Sequence, residues 1–108
     1  MDDQTRRLYE LKADVLKALA HPLRLAVADC LRDGELCVCD IAECVGAERS
    51  NISRHLGLMQ KAGVLDCRKD GLRVLYSLKT PCVLNFFSCV ADVLREKLEQ
   101  QSEALARL

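Results

Sequence analysis

The sequence predicts a winged helix–turn–helix: one mainly helical domain over residues 1–108, with a two-stranded β wing and dimerising terminal helices. Three features of the chain point to it. Apolar residues recur at three- and four-residue steps in several short segments. Two of those segments, near 38–45 and 50–62, are joined by a tight connection at Gly46. After them, two strand-like runs flank Asp70-Gly71, a dipeptide suited to the positive φ angles of a hairpin turn.

Leu8, Leu11, Val15, Leu16 and Leu19 give an amphipathic helix over about 5–19. His21-Pro22 punctuates it, and proline is tolerated in a first helical turn, so a second helix runs from Pro22 to Leu31 and stops at Asp33-Gly34. A short helix covers Val38–Val45, closed by Gly46. The next reaches Ala62, with Ile52, Leu56 and Met59 on one face, and Gly63 ends it. The runs 64–69 and 72–78 form the hairpin. Thr80 is the expected N-cap of the last helix and Pro81 its first residue. Val83, Phe86, Phe87, Val90, Val93, Leu94 and Leu98 give that helix an apolar stripe. The first and last helices carry more apolar surface than a small core can cover, which points to a symmetric homodimer.

Sixteen Lys or Arg balance sixteen Asp or Glu, so the net charge is zero and a uniformly basic nucleic-acid coat is excluded. The charge is nevertheless segregated. Residues 49–73 hold six Lys or Arg against two acids, whereas residues 33–48 hold five acids and no Lys or Arg. No apolar stretch approaches the roughly 20 residues of a membrane helix, and the acid-bearing N-terminus lacks the apolar run of a signal peptide. A cytoplasmic protein with reduced thiols and no membrane partner is expected.

The basic segment coincides with the second helix of the helix–turn–helix and with the hairpin. A recognition helix reads base edges from its first turns and holds phosphates with hydroxyls and cations. Arg49, Ser50, Asn51, Ser53, Arg54 and His55 suit those tasks. Arg68, Lys69 and Arg73 would set the wing along the backbone or in the minor groove of double-stranded operator DNA. A solvated charged face is the plainer account of any charge run, but here the run falls on the elements that reach DNA.

Cys37-Val38-Cys39 is the sharpest chemical feature among seven cysteines. Side chains two apart within a helix point about 200° away from each other and cannot clamp one ion. At a helix start the first can occupy the N-cap, where the backbone is not yet helical and the helix dipole favours a thiolate. Chelation there would distort the first turn of the helix–turn–helix. Two small buried residues are the alternative. Cys44 lies seven residues beyond Cys37, about 10 Å along a regular helix, and could join only by unwinding. Cys30 and Cys67 sit in apolar patterns and read as core or sheet residues. Cys82 and Cys89 share a face of the last helix, and in an antiparallel dimer Cys82 of one chain could approach Cys89 of the other.

These residues resemble the ArsR/SmtB family of metal-responsive repressors over about residues 8–98. The matching segments are 19–25 (Leu-Ala-His-Pro-Leu-Arg-Leu), 35–41 (Glu-Leu-Cys-Val-Cys-Asp-Ile), 50–56 (Ser-Asn-Ile-Ser-Arg-His-Leu), 61–65 (Lys-Ala-Gly-Val-Leu) and 68–71 (Arg-Lys-Asp-Gly). The run Glu35–Asp40 looks like the metal box of the arsenic and antimony branch. The resemblance implies a homodimeric winged-helix repressor that leaves its operator when As(III) or Sb(III) binds Cys37 and Cys39, with Ser50, Ser53, Arg54 and His55 at the DNA. No organic cofactor is implied. Where that box carries a third cysteine this chain has Ala42, so the third ligand is open among Cys44, Cys82, Cys89, an external thiol or none. The last helix has no His for a zinc-type site, and soft thiolates suit As(III), Sb(III), Cd(II), Pb(II), Hg(II) or Cu(I). Two other readings follow from the thiols: a repressor sensing Cd(II)/Pb(II) or thiol oxidation and persulfidation, and a thiol enzyme or metal carrier. Against the last, neither histidine is placed as a general base for the pair.

Overall fold

A computed structural model describes residues 1–108. The elements are α1 (Asp3–Lys17), α2 (Pro22–Cys30), β1 (Leu36–Cys37), α3 (Val38–Val45), α4 (Arg49–Lys61), β2 (Leu65–Asp70), β3 (Arg73–Leu78) and α5 (Val83–Ala106). The predicted mainly helical winged helix–turn–helix is what forms. Local chemistry explains most boundaries. The Asp2 carboxylate accepts from the Thr5 amide at 2.7 Å and caps α1. The His21 Nδ1 accepts from the Leu23 amide at 3.1 Å and caps α2, whose first residue is Pro22. Gly46, at φ 70°, ends α3 in the left-handed conformation, and the Ala47 amide reaches back to the Ala42 carbonyl at 3.1 Å.

Three details differ from the sequence reading. The wing sheet has three strands in the order β1-β3-β2, because Leu36 pairs with Tyr76 and Cys37 with Leu75. Asp70 pairs with Arg73, so the hairpin loop is Gly71-Leu72 rather than Asp70-Gly71. Only Gly71 there has positive φ, at 65°, as a two-residue turn with glycine first requires. Lastly, α5 begins at Val83. Thr80, Pro81 and Cys82 form a tighter preceding turn, in which the carbonyls of Thr80, Pro81 and Cys82 accept from Val83, Leu84 and Asn85 at 3.0 to 3.1 Å. Thr80 does not cap the helix, and its Oγ1 is buried without a partner.

The core lies where α2, α3 and α4 meet the base of the wing. Val27, Ile41, Ile52, Leu56, Met59 and Val64 are fully buried there. Neither α1 nor α5 contains a buried residue, and their apolar stripes stay exposed, Leu8, Leu16, Phe86, Val93 and Leu94 each by more than half. The radius of gyration is 17.3 Å, against about 13 Å for a compact chain of this length. The terminal helices therefore project from a small core. They frame an apolar cavity of about 410 Å³ lined by Leu16, Leu19, Leu25, Phe86, Phe87 and Leu94 among others.

Packing of α2 on α3 through Val27, Ala28, Ile41 and Ala42 also brings two cysteines together. Cys30 and Cys44 form a disulfide, with their Cα atoms 6.4 Å apart. This corrects two expectations: the thiols are not all free, and Cys44 is tied to Cys30 rather than available beside Cys37. Helix packing, not sequence spacing, sets that distance.

Ile52 is buried on the inner face of α4 with no exposure. Truncation to alanine leaves a cavity, and Ile52→Ala should destabilise the fold by about 2–5 kcal/mol in urea denaturation.

Candidate functional site

The exposed face of α4 carries Arg49, Ser50, Asn51, Ser53 and Arg54. Arg54 donates to the Asn51 Oδ1 at 2.9 Å, which orders both side chains at the helix start. These residues stand where the sequence placed them. His55 does not. It is only 6% exposed and faces His21, with ring centroids 4.6 Å apart. The expected DNA contact at His55 is thus corrected by burial: Ile52, His55, Leu56 and Met59 form one inward face. That face was legible in the spacing, since 52, 55, 56 and 59 are successive three- and four-residue steps.

Burial holds the His55 imidazole below its ordinary value of 6.5, and the nearby charges of His21, Arg24 and Arg54 add to this. The neutral ring is the form the fold accepts.

On the wing, Lys69 and Arg73 are exposed, and Arg73 makes only a loose contact of 3.9 Å with Asp70. Arg68 behaves differently. Its Nε and Nη2 donate to both carboxylate oxygens of Glu35 at 2.7 and 2.8 Å. This two-pronged hydrogen bond holds the Glu35 carboxyl below the usual carboxylate range. The pair, absent from the sequence reading, joins the wing to the segment just before Cys37.

Cys37 closes β1 and is the N-cap of α3, with extended backbone at φ −81° and ψ 167°. It makes no side-chain cap to the α3 amides; instead its thiol donates to the Asp40 Oδ2 at 3.2 Å. Cys39 is exposed in the first helical turn. A half-buried thiol on non-helical backbone thus sits two residues before an exposed one, the arrangement that frees the pair from the 200° constraint. Two thiols of this kind suit a thiophilic ion. No cluster of three or more His, Cys, Asp or Glu side chains is placed to hold a metal ion. Cys82 and Cys89 lie exposed on the last helix and its preceding turn. Of the core or sheet positions expected for it, Cys67 takes the sheet: it is exposed on β2 and accepts a hydrogen bond from the Gln60 side-chain amide nitrogen at 3.1 Å.

A helix–turn–helix whose second helix presents hydroxyls and arginine, beside a basic hairpin, defines a winged-helix DNA-binding protein. The chain belongs to the arsR family of bacterial regulatory proteins, whose family profile matches residues 21–66. The HTH-type transcriptional regulator Rv0081 of Mycobacterium tuberculosis is 36% identical over 110 residues, covering 97% of this chain and 93% of that one. CadC of Listeria innocua, a cadmium resistance transcriptional regulatory protein, is 37% identical over 83 residues, covering 76% of this chain and 70% of its own. Among solved structures, the homodimeric winged helix–turn–helix DNA-binding domain of Mb0332 from Mycobacterium bovis superposes with a TM-score of 0.77. It is 32% identical and covers 93% of each chain. Membership places the chain among transcriptional regulators rather than enzymes. No helix is long and apolar enough to cross a membrane.

Two outcomes are expected. In DNA titrations over a range of salt, Lys69→Ala and Arg73→Ala should weaken binding across sequences and lower the salt slope by about one per bound protomer, about two for a dimer. Arg68→Ala should change the slope less, because Glu35 already neutralises that guanidinium. Stability should fall as the pH drops below 6.5 toward 5.5, because the unfolded chain takes up the proton that native His55 refuses. The contribution is fully present above the unfolded value and is lost as pH falls through it. Urea midpoints for wild type and His55→Leu, measured at pH 7.5 and 5.5, check this; the variant should lose much of the dependence.

Proposed function

We propose that this protein is a cytoplasmic, homodimeric transcriptional repressor that releases operator DNA when As(III) or Sb(III) binds Cys37 and Cys39. One observation carries the reading: Cys37 belongs at once to the wing sheet and to the start of the helix–turn–helix. Arsenite reaches the site as a neutral hydroxide. Each thiol exchanges for one hydroxide, so two As–S bonds form, two As–O bonds break and two waters leave. Closing both sulfurs on one ion pulls Cys37 toward the first turn of α3 and away from its register with Leu75. The recognition helix and the wing then lose their shared alignment.

The dimer reading is supported by the exposed stripes of α1 and α5, the apolar cavity between them, and the homodimeric relative. With Cys44 bonded to Cys30, the third ligand is a retained hydroxide, an external thiol, or a cysteine supplied across the dimer. Similarity to a cadmium resistance regulator favours Cd(II), with Pb(II), as the competing inducer class. Titrating operator-bound protein with arsenite, antimonite, Cd(II) and Pb(II), read by anisotropy, separates the two.

Cys37→Ser and Cys39→Ser should each abolish release by arsenite while leaving operator affinity within about twofold. Normal release by both variants would remove the assignment.

A further inference from the structure

We propose that Cys30 and Cys44 are a second thiol site, a reversible dithiol–disulfide couple that latches α3 to α2 and so sets how easily the thiol pair at 37 and 39 responds. Cys30 is the last residue of α2 and Cys44 lies in the last turn of α3. Their bond closes a loop with a sequence separation of 14. That loop contains Glu35, all of β1 and both Cys37 and Cys39. It is therefore pinned at two points, at the end of α2 and one turn before the recognition helix.

The couple does not need the bond in order to stay assembled. Val27 and Ala28 on α2 pack against Ile41 and Ala42 on α3 in the buried core, so the two sulfurs remain neighbours when reduced. Cys44 is exposed and Cys30 is half-buried, which assigns their order of reaction. The accessible Cys44 thiolate attacks hydrogen peroxide, the O–O bond breaks, and Cys44 becomes a sulfenic acid as one water forms. Cys30 then attacks that sulfur, the S–O bond breaks and a second water leaves. Two thiols give up two electrons and two protons in all, and a cellular dithiol reverses the change.

The consequence for induction rests on the proposed role of Cys37 and Cys39. Their closure on an ion requires the first turn of α3 to shift, and a crosslink at its other end opposes that shift. The oxidised protein holds DNA and resists the inducer, whereas the reduced protein is responsive.

The full-length protein is treated with hydrogen peroxide or with a phosphine reductant. Peptide mapping should find a Cys30–Cys44 crosslink only in the oxidised sample and lost again on reduction. A Cys30→Ser chain should instead accumulate a sulfenic acid at Cys44 that dimedone traps. Amide exchange across α3 should slow at least about tenfold on oxidation, as expected for a crosslink over so short a loop. The arsenite midpoint for DNA release should rise by a similar factor. Crosslinks that join other cysteines, or α3 exchange that is unchanged by the bond, overturn the latch. Failure of the reduced protein to respond to arsenite overturns the metalloid reading instead, while the exchange measurement still decides the latch.

Discussion

Two backbone pairs hold this protein's parts in one frame: Leu36 opposite Tyr76, and Cys37 opposite Leu75. Without them the hairpin would hang from the end of α4 by its own strands. With them, the residue that opens α3 is also a member of the wing sheet. The cysteine faces Leu75, and Leu75 in turn faces Arg68 on β2, whose guanidinium returns to Glu35. Three strands and one ion pair thus form a closed circuit around the start of the helix–turn–helix. Because both Glu35 and Arg68 are exposed, the ion pair itself adds little stability. What it does is tie β2 of the wing to the segment just before Cys37.

The rest of the architecture follows from a core too small for its helices. Only fourteen residues are buried, nearly all from α2, α3, α4 and the wing base. A domain of this size is marginal unless it covers more apolar surface. The stripes on α1 and α5 are that surface, left open in a single chain.

Much of this was legible in the sequence because it is written locally. Gly46, Gly63 and the periodic runs mark α3 and α4 within a residue or so, and the charge segregation finds the exposed basic face. What was missed depends on residues far apart in the chain. A two-residue strand has no period to detect, so β1 is invisible until β3 lies beside it. The Cys30–Cys44 approach and the Glu35–Arg68 pair are products of packing and sheet register. The burial of His55 is a different case: its place among Ile52, Leu56 and Met59 gave the signal, but the imidazole's polarity argued for the DNA-facing side. Thr80 and Pro81 have the right chemistry to cap a helix, yet the chain makes a tight turn there first.

The grip of Glu35 on Arg68 has one more effect. A carboxylate presenting two oxygens to a guanidinium occupies the place that a phosphate would take. A phosphate can take that same Nε–Nη2 edge of Arg68 only if Glu35, two residues from Cys37, lets go, whereas the Nη1 edge stays open to it. If Cys37 is where inducer binds, thermodynamic reciprocity applies: whatever inducer takes from operator affinity, operator must take equally from inducer affinity. DNA then acts as an antagonist of the ion. Under that proposal, molecules free of the operator would load first, and a repressor standing on its promoter would be the last to sense.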